Sequence, residues 1–140
     1  MAYVYAALGG VLGALARWAV AEALPHSPGA WPWATFGVNV TGCLLIGVLL
    51  AVLLARYPRS RRLRPFLAVG VLGGYTTYST FAVEAVRLTD GGHAVLAAGY
   101  VLASVLAGVA AVVAGLLAGR AVVGRGDTVD AELRAGEGET

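Results

Sequence analysis

The sequence predicts an all-α membrane protein with four transmembrane helices, the third of them broken near its middle. Three observations carry that prediction. Hydrophobic residues make up 59% of the 140 and charged residues only 13%, and the mean hydropathy is +0.77, far from soluble averages. Four apolar stretches approach or exceed the roughly 20 residues that a helix needs to cross a hydrocarbon core. Within the third, Gly73-Gly74-Tyr75-Thr76-Thr77-Tyr78-Ser79-Thr80-Phe81 makes a poor helix interior, with paired glycines followed by β-branched, hydroxylated and aromatic residues.

The first stretch runs from about Ala2 to Leu24. Ala21-Glu22-Ala23 loosely resembles a signal cleavage site, but no basic segment precedes the apolar run and Arg17 interrupts it, so a retained helix is expected. Pro25-His26-Ser27-Pro28-Gly29 ends it, and the second stretch follows from Trp33 to Ala55. Trp31, Trp33 and Tyr57 flank that helix at both ends, as an aromatic belt would. Arg56 to Arg64 separates it from the third stretch, Phe66 to about Arg87. After Thr89-Asp90-Gly91-Gly92-His93 comes the fourth, Ala94 to Gly119. One domain over residues 1–123 is expected, followed by a polar, Gly-rich tail over 124–140 without fixed structure.

Small residues recur every fourth position in the fourth helix, at Gly99, Ala103, Ala107, Ala111, Gly115 and Gly119. Gly9 and Gly13 in the first helix, and Gly70 and Gly74 in the third, repeat the pattern on a shorter scale. Such stripes let helix backbones approach closely in lipid.

Polar residues inside the membrane are costly and mark interior faces or pathways. Thr35 and Asn39 lie one turn apart on the second helix, as do Tyr100 and Ser104 on the fourth. Threonine and serine often just bond a preceding carbonyl. Asn39 is harder to dismiss, because its amide needs partners in lipid. Tyr78, Phe81 and Glu84 fall at three-residue steps after the break, so resumed helix stacks them along one stripe. Glu84 can instead be a helix-end residue paired with Arg87 three positions on. Arg17 lies deep enough in its helix for an internal partner, or it can snorkel.

Enzyme chemistry is not expected. His26 and His93 sit in loops without ligands at metal-binding spacing, and there is no phosphate-binding Gly-Lys-Ser/Thr loop or nucleophile elbow. The single cysteine, Cys43, permits no intrachain disulfide and reads as a small core residue. All ten basic residues are arginines, and a net charge of +2 gives no case for nucleic acid. Amide and hydroxyl donors with the positive edges of aromatic rings suit a small anion that must shed water, whereas carbonyls freed by a helix break suit a cation.

Three motifs resemble the Fluc/CrcB fluoride channel family. They are Gly9-Gly10-Val11-Leu12-Gly13-Ala14-Leu15-Ala16-Arg17-Trp18, then Thr35-Phe36-Gly37-Val38-Asn39-Val40-Thr41-Gly42, then the Gly73–Phe81 stretch, which is the most specific. The resemblance leaves out only the polar tail. It implies an antiparallel dimer in the plasma membrane with two fluoride pores between subunits, exporting fluoride passively. Asn39 would be the pore amide, and Tyr78 and Phe81 the aromatic pair. Carbonyls of Gly73 and Thr76 would hold a structural sodium ion, and Tyr100 and Ser104 would begin a polar track, with Thr35 a further pore candidate. Two departures stand out: Tyr78 replaces the usual Phe, and the track meets Gly108 and Val112 where hydroxyls often continue it.

The alternative is a small four-helix, proton-coupled multidrug exporter, which needs a carboxylate deep in the first helix; Glu22 lies near its end and Arg17 is the deep charge. A non-transporting scaffold would explain the small-residue stripes but not the break. Loop charge predicts orientation. Arg56, Arg59, Arg61, Arg62, Arg64, Arg120, Arg125 and Arg134 share one side with both termini, while Arg87 stands alone on the other. The positive-inside rule then puts the termini in the cytoplasm. So strong a bias pulls against a simple antiparallel homodimer, which remains the default expectation, with a heterodimer with an oppositely oriented paralogue as the alternative.

Overall fold

Prolines and extended linkers cut the chain into helices close to the predicted bounds. The computed structural model describes residues 1–58, 60 and 62–137, with side chains through Gly124; Arg59 and Arg61, used above for orientation, lie outside the described residues. Helix α1 spans Ala2–Ala23 and stops at Leu24, the residue before Pro25, where proline disfavours a helical predecessor. Helix α2 spans Trp33–Arg56. Arg64–Leu72 is wound as a π-helix, with Pro65 in its first turn, where a missing N–H costs nothing. It runs into the short α3, Gly73–Tyr75, and after an interruption into α4, Tyr78–Asp90. Helix α5 spans Ala94–Glu137, so its backbone stays helical over most of the stretch expected to be a tail; residues 138–140 lie outside the described residues.

Among the described residues, four helical segments are long and apolar enough to cross a membrane: Ala2–Ala23, Trp33–Arg56, Arg64–Asp90 and Ala94–Gly124. They pack as two intimate pairs, α1 along Arg64–Tyr75 and α2 along α5. The small-residue stripes make these pairs possible. A Cβ on Gly70 would stand 2.8 Å from the Cα of Gly9, and one on Gly74 would strike the backbone of Gly10. On the other pair, a Cβ on Gly115 would strike the carbonyl of Leu44. Of the paired glycines in the third helix, Gly74 thus serves close approach to α1, whereas a Cβ on Gly73 would meet only the Ala68 carbonyl, at 3.9 Å.

The break is narrower than the predicted Gly73–Ser79. Gly73–Tyr75 keep helical geometry and Ser79 lies within α4. Only Thr76 (φ −74°, ψ 157°) and Thr77 (φ −146°, ψ 124°) are extended, which suits β-branched residues. Trp31 also departs from the belt expectation. Trp33 and Tyr57 are exposed as a belt requires, but Trp31 turns inward, its ring edge-on to Tyr100 at 5.5 Å. It joins a cluster of Leu88, Ala97 and Tyr100 that also takes in Phe36 and Phe81.

Candidate functional site

Asn39 holds the break open. Its Nδ2 donates to the Thr77 carbonyl at 2.9 Å, and its Oδ1 accepts from the Thr77 N–H at 2.8 Å. This two-point pairing fixes the amide's orientation and leaves one N–H to donate elsewhere. In an unbroken helix the Thr77 N–H would close on Gly73 and the Thr80 N–H on Thr76. Both donors are diverted, the first to Asn39 and the second to the Thr77 hydroxyl at 3.1 Å, which caps α4. The helix therefore forgoes its bonds to the two carbonyls singled out for a cation, those of Gly73 and Thr76. Arg17 fastens the turn just before the break, Nε donating to the Gly74 carbonyl at 3.1 Å. It has an internal partner and need not snorkel.

A cavity of about 430 Å³ lies against the break, lined among others by Asn39, Cys43, Tyr78, Phe81 and Ser104. Gly73 and Thr76 line it as well. The rings of Tyr78 and Phe81 are 6.1 Å apart, and Tyr78 is 82% exposed on the single chain, so its outer face is free to meet lipid or a second subunit. The hydroxyl oxygen of Ser104 is buried without a hydrogen-bond partner, a donor held in reserve. Beyond Ser104 a neighbouring hollow continues past Gly108 and Val112 with apolar walls, as those two departures from a hydroxyl track would produce.

Thr35 and Tyr100 are drawn away from this cavity. Both donate to the buried Glu84, Thr35 Oγ1 to Oε1 and Tyr100 OH to Oε2, each at 2.8 Å. Glu84 spends both oxygens on hydroxyls rather than on Arg87, which corrects the ion-pair reading; a carboxylate in lipid is stabilised most by short charge-assisted bonds. Thr35 likewise bonds across helices instead of back to its own. Phe81 packs at 5.3 Å on Tyr100, whose hydroxyl donates to Glu84, so Phe81 and Glu84 of α4 meet the same residue of α5.

Two contributors were missed in the sequence. Cys43, read as a core residue, lines the cavity; its place one turn after Asn39 was the available signal. Gly42 leaves room for the Thr76 methyl group, which a Cβ there would strike, and no local pattern reveals that.

The chain is thus a small multi-pass membrane protein in which a side-chain amide locks a broken helix beside a cavity whose lining includes hydrogen-bond donors. The chain belongs to the family described as "CrcB-like protein, Camphor Resistance (CrcB)", which it matches over residues 4–116. It is 48% identical over 103 residues to "Fluoride-specific ion channel FluC 2" of Nocardia farcinica, covering 74% of each chain. It is 48% identical over 99 residues to a protein of the same name from Streptomyces avermitilis, covering 71% of this chain and 63% of that one. "Fluoride-specific ion channel FluC" of Paracoccus denitrificans is 42% identical over 118 residues, covering 84% of this chain and 94% of its own length.

Proposed function

We propose that the chain is a subunit of a fluoride-selective channel through which cytoplasmic fluoride leaves passively. The cavity that gathers Asn39, Tyr78, Phe81 and Ser104 is the observation that carries this reading. The residues that border it carry three kinds of donor: the spare Asn39 N–H, the unpartnered Ser104 hydroxyl and the ring edges of Tyr78 and Phe81. Fluoride is a compact, strong hydrogen-bond acceptor, so short donors repay its dehydration better than they repay that of chloride. The names of the relatives support the same ion. The exporter alternative finds no support: Glu22 lies in the last turn of α1, far from a coupling position. Liposomes holding the protein and loaded with fluoride or chloride test the reading. Fluoride efflux, with chloride retained and no need of a proton gradient, is expected; comparable chloride flux overturns it.

The carbonyls of Gly73 and Thr76, left without their helical donors, fit a monovalent cation, and we assign a structural sodium ion to them at the axis of an antiparallel dimer. Bound there, sodium would supply positive charge and tie two broken helices together. Its replacement by a large organic cation is expected to weaken the dimer on size exclusion and lower flux; indifference to sodium removes the assignment.

Homodimer and heterodimer differ in how single subunits insert. A cysteine at Ser27, in a Cys43→Ala background, labelled from each face of intact cells, separates them. Equal labelling from both faces fits the homodimer, and one-sided labelling fits pairing with an oppositely oriented paralogue.

A further inference from the structure

A second cavity, of about 300 Å³, opens between the α1–α2 loop and α4 at the end of the bundle away from the chain termini. Its walls include His26, Gly29, Thr80, Glu84 and Arg87. His26 and Arg87 are exposed, while Glu84 is 9% exposed and has its two oxygens turned to Thr35 and Tyr100. Cationic and N–H-bearing groups thus form a rim, and the carboxylate lies at the floor. The rim is held in shape: Gly29 has φ +81°, and a Cβ there would come within 2.7 Å of the His93 ring, so the loop lies flush on the α4–α5 turn.

We infer that this rim is an anion-collecting mouth for the channel proposed above, with Arg87 its main charge, His26 its second donor and small monovalent anions its ligand. The inference rests on the fluoride reading. An anion approaching from this side meets the buried Glu84 carboxylate, which repels it; a permanent guanidinium one turn along the same helix offsets that field. Exposed charges of this kind raise local anion concentration and arrival rate more than they hold the ion. Their influence fades when salt shortens the screening length from about 10 Å at 0.1 M to about 3 Å at 1 M. Neither residue belongs to the cavity of Asn39 and Phe81.

The test measures fluoride efflux from liposomes for the unaltered protein, Arg87→Gln, Arg87→Lys and His26→Ala, at low and high concentrations of an impermeant salt. Arg87→Gln is expected to lower flux at subsaturating fluoride by about threefold in low salt, with the gap closing in high salt and at saturating fluoride. Arg87→Lys should restore it, and His26→Ala should give a smaller loss of the same kind. An Arg87→Gln loss that persists in high salt and at saturation overturns the mouth in favour of a structural role, and unchanged flux overturns it outright. If the unaltered protein passes no fluoride, the channel reading itself has failed, which these arms keep separate.

Discussion

Phe81→Ile is expected to cut fluoride flux by about tenfold to a hundredfold while leaving the dimer assembled. The substitution keeps apolar volume against Tyr100 but removes the positively polarised ring edge. A hydrogen bond to a charged group is worth about 1.5–3 kcal/mol, the ring-edge contact to a dehydrated anion is expected in the same range, and each ~1.4 kcal/mol is a factor of ten. Tyr78→Phe serves as the control: the ring stays and only a hydroxyl goes, so flux should change little. Fluoride-electrode traces paired with size exclusion of the same samples decide it. Normal conduction by Phe81→Ile would remove that ring from the path.

Asn39→Ala carries the second large effect, because it strikes the break and the path together. Both bonds to Thr77 disappear, leaving a backbone N–H and C=O unpaired inside the bundle. Each orphaned group costs about 1–3 kcal/mol. Flux should vanish, and the thermal unfolding midpoint should drop by several degrees. Asn39→Asp separates the two roles. Its carboxylate can still accept from the Thr77 N–H but faces the Thr77 carbonyl without a donor and places negative charge beside the cavity. It should be as inactive as Asn39→Ala. An active Asn39→Asp would show that conduction needs neither the spare amide N–H nor the bond to the Thr77 carbonyl.

Several features were legible before any fold was known, because lipid imposes them. No water reaches the hydrocarbon core, so backbone groups must pair within helices, and apolar length alone located the four spans to within a few residues. The same constraint made Asn39 and the Gly73–Phe81 stretch conspicuous, since neither is cheap in that solvent. The glycine stripes announced close packing, and Gly9 does meet Gly70.

What escaped is what depends on partners distant in sequence. Nothing local says that Thr35 and Tyr100 converge on Glu84 from α2 and α5, or that Trp31 abandons the membrane boundary for the Tyr100 ring. Paired glycines and β-branched threonines all weaken a helix, so propensity spread the break over seven residues. Packing against α1 kept Gly73–Tyr75 helical, and the reach of the Asn39 amide fixed the opening at Thr76 and Thr77. Residue type thus determined that the third span must be interrupted and polar-lined. Only the tertiary structure decided where, because a diverted hydrogen bond needs a particular donor brought within 3 Å by another helix.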